Sequence, residues 1–430
     1  MIVENWSQKT YFIASEAKDV YCLSPLASLM DRKIYILDSL SDQEVIEIIS
    51  VQEPVFVCAS RVSLSFLESI RSRDSFVAIG IEHGLAPFKA YTYSEKLLDY
   101  DVYCAPTQAW GCRLKKLYAD KADRVLITGY PRLETLKTVH DAFQKIEKSD
   151  GDKDLWSKSN NEKVLVVFSW GVDSKAFEAL PDDPSVVYLI HPADAYLVDI
   201  VKPKLSKIVV SSPTVTSKLL AHAEIVFGDF SSLTIEAEFM GLPVNIFVCR
   251  ELYRFDCDVG DDFFNRSSQK FIYTPYYDTQ INAENVISSL PRLTEAIKAA
   301  TTKETSSVGR RAFPDDFYPP NESSLTLCVA ALNLTVKKIE NGDYKIKKVD
   351  AFEANSSARA LNFLITAYKN FLGRPADFEG IRTYMNDFRS SNDPGPLWSI
   401  KILREITSSQ EGQYYWKSKE KTFALIHGFS

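Results

Sequence analysis

Short apolar runs of four to six residues, each closed by a turn and followed by a helix-length segment, constrain this chain more than any other feature. One set lies at Lys33–Leu37, Val55–Ala59, Phe76–Ile81, Asp101–Ala105 and Arg124–Thr128. A second lies at Lys163–Phe168, Val186–Ile190, Lys207–Val210, Glu224–Phe227 and Val244–Val248. The runs are continuously apolar rather than alternating, as parallel strands covered by helices on both faces require. Asp42–Ile49 and Leu64–Arg71 read as two of the intervening helices. The polar, breaker-rich Ser149–Glu162 separates the two sets and reads as a linker. The pattern predicts an α/β protein with two Rossmann-like domains, residues 1–150 and 160–300, facing each other across a cleft.

Beyond the second unit the character changes. Leu325–Glu340 reads as a helix ending at Asn341-Gly342, or as a hairpin turning on the same pair, so 301–350 is a connecting helix or hairpin. Residues 355–420 carry helix-length apolar spacing (Leu361, Ile365, Tyr368, Phe371, Leu372), broken by Gly373-Arg374-Pro375 and Gly380. They predict a separate small helical domain.

Composition narrows the class. A chain of 430 residues is too long for one core. With 45% hydrophobic and 25% charged residues it reads as a soluble globular protein. No apolar run reaches membrane-span length, and Met1–Lys9 shows no signal-peptide pattern. A net charge of −7 argues against nucleic acid and against an electrostatic membrane anchor. The seven cysteines form no Cys-x-x-Cys pair and read as reduced core residues of a cytoplasmic protein. None of the five histidines is paired at metal-ligand spacing, so no metal site is expected. The dinucleotide fingerprint and the P-loop are both absent, which argues against dehydrogenases and P-loop NTPases.

Four strand ends carry the chemistry. Each places glycine or polar residues at the carboxyl end of an apolar strand, where open parallel sheets bind ligands. The first runs into Glu82-His83-Gly84, with Lys89 six residues after His83. The second ends in Gly129-Tyr130-Pro131-Arg132 and the third in His191-Pro192. The fourth runs through Gly228-Asp229-Phe230-Ser231-Ser232 into a helix stopped by Gly241 and Pro243. Ser231 and Ser232 are natural N-caps, and a helix N-terminus suits a phosphate. Glu236, one turn in, is placed to reach a ribose or a base. The competing reading of this last segment is an ordinary βαβ connection with a good cap.

This ordered set resembles GT-B glycosyltransferase-like enzymes that use cytidine-nucleotide donors. The CDP-glycerol glycerophosphotransferases of teichoic-acid synthesis carry His-Gly-x-x-x-x-Lys, Gly-Tyr-Pro-Arg, His-Pro and Asp-Tyr-Ser-Ser in that order. Here the same order is His83-Gly84 with Lys89, Gly129 to Arg132, His191-Pro192, and Asp229-Phe230-Ser231-Ser232. Bacterial sialyltransferases, polysialyltransferases and Kdo transferases use CMP-sugars and share the His-Pro and Ser-Ser elements. The similarity covers about residues 50–250. Two departures favour a CMP-sugar. The glycerophosphotransferases usually have Trp before His-Gly and Arg after His-Pro, where this chain has Glu82 and Ala193. They also typically carry basic amphipathic segments, and none stands before the linker here. CMP-Kdo is the best single choice. Ala367–Gly380 resembles a small bacterial helical domain of unknown function appended to surface-polysaccharide enzymes, which implies docking to glycan or to a polysaccharide-assembly partner.

The resemblance implies a GT-B fold and a division of labour. Ser231 and Ser232 take the leaving phosphate. His191 hydrogen-bonds or protonates it. Pro192, Glu236, Trp170, Gly129 and Tyr130 complete the nucleotide site. His83 or Glu82 deprotonates the acceptor hydroxyl. Lys89 and Arg132 bind the acceptor or an anion. Asp229 either caps the turn or, as in retaining β-Kdo transferases, is the nucleophile that forms a glycosyl–enzyme ester. The implied protein is a glycosyltransferase of lipopolysaccharide or capsule synthesis. It takes a nucleotide-sugar donor and a glycan acceptor, needs no cofactor, and is cytoplasmic or peripheral at the inner membrane. The alternatives are a CDP-glycerol or CDP-ribitol phosphotransferase and an inactive glycan- or partner-binding protein.

Overall fold

The structure is a computed structural model. It describes residues 8–85, 94–146, 163–169, 171–229, 231–247, 249–253, 286–302, 315–320, 323–348, 351–372, 378–390, 396–410 and 413. Among the described residues, twelve strands form two sheets. The first holds β1 (Thr10–Ala14), β2 (Ile34–Ile36), β3 (Val55–Cys58), β4 (Val77–Ile81), β5 (Val102–Ala105) and β6 (Val125–Ile127), in the order β2-β1-β3-β4-β5-β6. The second holds β7 (Val164–Val167), β8 (Val186–Ile190), β9 (Ile208–Val210), β10 (Ile225–Gly228), β11 (Val244–Phe247) and β12 (Val286–Ile287), in the order β12-β11-β10-β7-β8-β9. The registers are parallel, with Val57 opposite Ile79 in one sheet and Val166 opposite Tyr188 in the other. Both sheets are doubly wound. The strand order reverses between β1 and β3, and between β7 and β10, and each reversal opens a crevice at the carboxyl ends. All ten anticipated strands are present; β1 and β12 were not anticipated.

Packing divides the chain into two compact units, residues 81–331 and residues 1–80 together with 332–430. In the discontinuous unit, Ser41 and Glu44 form a capping box at the start of helix Asp42–Ser50. Its other end is closed by Arg71, buried at 3% exposure. That guanidinium donates to the carbonyls of Ile48, Ile49 and Val51, the groups a helix end leaves without internal partners. Helices Ala351–Phe371 and Phe378–Ser390 pack on Asp42–Ser50 and Arg61–Ile70 and bury Leu361, Leu364 and Met385. The C-terminal helices thus share a compact unit with residues 1–80.

Residues 324–340 form one helix rather than a hairpin. Gly342 has φ +79° and donates its N–H to the Ile339 carbonyl. The Asn-Gly pair is therefore a left-handed helix stop, a conformation glycine adopts without strain. Among the described residues no helix is long and apolar enough to cross a membrane.

Candidate functional site at the second sheet's switch point

The chain leaves β7 through Ser169 and β10 through Asp229, the two strands flanking the reversal of order. Asp229 is 1% exposed. Its Oδ1 accepts from the Ser169 hydroxyl at 2.9 Å. Its Oδ2 accepts from the Ser169 N–H and from the Tyr253 hydroxyl. Asp194, equally buried, accepts the N–H groups of Gly171 and Val172. Two buried carboxylates thus grip the loop after β7 from the ends of both neighbouring strands. Hydrogen bonds from backbone N–H groups offset the desolvation such burial costs.

Burial first, then the Asp229 carboxylate, pushes the Tyr253 phenol well above its ordinary value of 10.0. An unfolded tyrosine ionises above that pH while the folded one stays protonated. Its stabilisation is therefore intact below pH 10 and is lost as pH climbs beyond it. Urea midpoints measured between pH 8 and 11 should fall above about pH 10, and Tyr253→Phe should flatten that fall. An identical alkaline slope in the variant would assign it to other tyrosines.

Helix Ser232–Phe239 follows β10 directly. Ser231 is its N-cap and accepts from the Thr234 N–H at 3.3 Å. The Thr234 hydroxyl donates to the Asp229 carbonyl at 2.6 Å. A Cβ added at Gly228 would sit 2.2 Å from that hydroxyl oxygen, so glycine is required there. The Ser232 hydroxyl accepts the Leu85 N–H at 3.0 Å. Glu236, one turn in, is 1% exposed. Its Oε1 accepts from the Tyr130 hydroxyl at 3.2 Å. Its Oε2 lies 3.5 Å from Arg132 Nη2 and, although buried, makes no hydrogen bond.

Tyr130 is fully buried, and its hydroxyl also lies 2.9 Å from the His83 carbonyl. Its N–H donates to the Ser324 hydroxyl at 2.8 Å. Gly129 before it has φ +83°, and an added Cβ would meet Ser324 Oγ at 2.2 Å. Gly129→Ala should destabilise the protein by more than about 1 kcal/mol, read as a lower urea midpoint. An unchanged midpoint would show that this turn yields.

Glu82 is 7% exposed. Its Oε2 accepts from the Tyr103 hydroxyl at 2.9 Å and its Oε1 from the His83 N–H at 3.0 Å. The same Oε1 lies 3.8 Å from His83 Nε2, and the His83 side chain is 16% exposed. Of the two candidate bases, His83 is the more accessible and Glu82 stands behind it. His191 caps its own turn: Nδ1 accepts the Ala193 N–H at 3.1 Å. That bond commits the neutral ring to the Nε2–H tautomer.

Glu82, His83, Tyr130, Arg132, Ser232 and Glu236 therefore belong to one contact network. Asp229 and Ser231 share Thr234. His191 and Pro192 start the turn whose Asp194 holds the β7 loop. Trp170 and Lys89 lie outside the described residues. Sequence reasoning missed Ser169, Asp194, Tyr103 and Tyr253. Ser169 had a signal, since it directly follows an anticipated strand; Tyr253 had none.

No protein-family model matches the chain. No curated protein matches it either. Solved structures do. The wall teichoic acid polymerase TagF, soaked with CDPG, aligns with a TM-score of 0.50 at 12% identity, over 78% of this chain and 90% of that one. The UDP-GlcNAc 2-epimerase from Neisseria meningitidis aligns at 0.48 and 14% identity, over 75% and 99%. The epimerase from Methanocaldococcus jannaschii aligns at 0.44 and 13% identity, over 76% and 99%. At such identities the likeness is one of fold. Two doubly wound parallel sheets in tandem, with helices closing the chain, give this protein the GT-B architecture.

Proposed function

We propose that the chain is a transferase that binds a cytidine-activated donor at helix Ser232–Phe239 and passes its group to an acceptor hydroxyl deprotonated by His83. The observation that carries this reading is Glu236. Its buried Oε2 makes no hydrogen bond, one turn inside a helix whose N-terminus suits a phosphate. A nucleotide would bring a phosphate to the helix end and a hydroxyl or amine to the carboxylate, whose Oε2 now faces only the Arg132 guanidinium at 3.5 Å. His191 adds an Nε2–H donor for the leaving phosphate.

Donor identity is the finer part of the proposal. CMP-Kdo and CDP-glycerol would use the same phosphate site and differ in the atom attacked. In the retaining CMP-Kdo route Asp229 must attack carbon. Its carboxylate is 1% exposed and holds three hydrogen bonds, which favours direct displacement with His83 as base. Direct displacement is the chemistry a CDP-glycerol phosphotransferase needs, so that reading gains from the geometry. Titration calorimetry with CMP, CDP and UMP tests the site. Cytidine nucleotides should bind more tightly than UMP, and Glu236→Ala should weaken them by about 1–3 kcal/mol. Absence of binding, or equal affinity for all three, defeats the proposal. Nucleotide release from CMP-Kdo, CMP-sialic acid and CDP-glycerol then identifies the donor.

A further inference from the structure

We infer that Tyr130 is a positioning residue that couples the donor helix to the acceptor base. The inference rests on the function proposed above.

Ser232 and Glu236 stand four residues apart and share one helix face. Both reach the segment that carries His83. Ser232 does so directly, through the Leu85 N–H. Gly84 lies so close that an added Cβ would stand 2.9 Å from Ser232 Oγ. Glu236 does so through Tyr130, whose hydroxyl stands 3.2 Å from Oε1 and 2.9 Å from the His83 carbonyl. The segment is therefore attached to the helix at two points one turn apart.

The second attachment responds to ligand. A tyrosine hydroxyl carries one proton, and here two acceptors compete for it. A donor hydroxyl or amine that hydrogen-bonds Glu236 satisfies the carboxylate and weakens its claim on that proton. The Tyr130 hydroxyl then bonds the His83 carbonyl fully and fixes the peptide that bears the base. Occupancy of the donor site thereby sets the base before the acceptor reacts.

Diethyl pyrocarbonate modification of His83, located by peptide mapping, reads this without turnover; only five histidines need resolving. In the wild type, saturating CMP should slow modification of His83 about fivefold or more. Tyr130→Phe keeps the buried ring and the backbone contact to Ser324. It should react several times faster without nucleotide, and CMP should change its rate less than about twofold, with CMP affinity within about threefold of wild type. It should also lower kcat while leaving donor KM near wild type. Equal protection by CMP in both proteins would reduce the effect to shielding and overturn the inference. A parallel loss of CMP affinity would make Tyr130 a ligand and overturn it too. If the wild type binds no cytidine nucleotide, the functional reading fails. The nucleotide-free rates still decide the anchor: faster modification in Tyr130→Phe supports it, and equal rates refute it.

Discussion

Replacing His83 by asparagine should lower turnover by about a hundredfold to ten-thousandfold, the range that general-base catalysis supplies. Asparagine keeps the size and one polar contact but cannot take a proton at neutral pH. Nucleotide affinity should stay within about twofold, because a base acting on the acceptor is engaged in the transition state rather than in donor binding. Glu82→Gln is the partner experiment. Glu82 is held by Tyr103 and by the His83 N–H, so under the proposed function its loss should cost less than that of His83. A deeper loss in Glu82→Gln than in His83→Asn would transfer the role of base to the carboxylate.

The second large effect is expected at Asp229. Asp229→Asn should destabilise the fold by about 2–4 kcal/mol, read by urea unfolding. Three donors converge on this carboxylate, two from Ser169 and one from Tyr253. An amide offers one acceptor oxygen and turns its NH2 toward donors already in place. Under the proposed function, the remaining folded protein should retain measurable transfer. The opposite result, a stable protein with transfer abolished and a sugar adduct trapped on wild-type Asp229, would restore the covalent route.

Much of this fold was legible because parallel strands advertise themselves. Val55–Cys58 and Val186–Ile190 are apolar at every position and buried at every position. Thr10–Ala14 is just as buried. It escaped notice because a four-residue apolar run ahead of a helical segment reads equally well as the start of that helix. Only pairing with β2 and β3 settles it. Val286–Ile287, at two residues, is too short to carry any period. The candidate site was legible where polar residues follow a strand end, as at His83, His191 and Asp229. It was not legible where a side chain arrives from far along the chain. Tyr253 reaches Asp229 across 24 positions and Tyr103 reaches Glu82 across 21. No local pattern encodes such pairs; only the register of the sheets does. The Asn341-Gly342 pair fits both a hairpin and a helix stop by composition, and backbone handedness decided between them.

The unit formed by residues 1–80 and 332–430 has a temporal consequence. Its first strands precede residues 81–331 in synthesis, yet the helices that cover Asp42–Ser50 and Arg61–Ile70 are made only after them. Residues 81–331 intervene. At about 5–20 residues per second, that delay lasts on the order of 10–50 s. Throughout it, the two early helices lack the later helices that pack on them. Order of synthesis and order of packing therefore differ in this unit, which cannot close until its later helices are made.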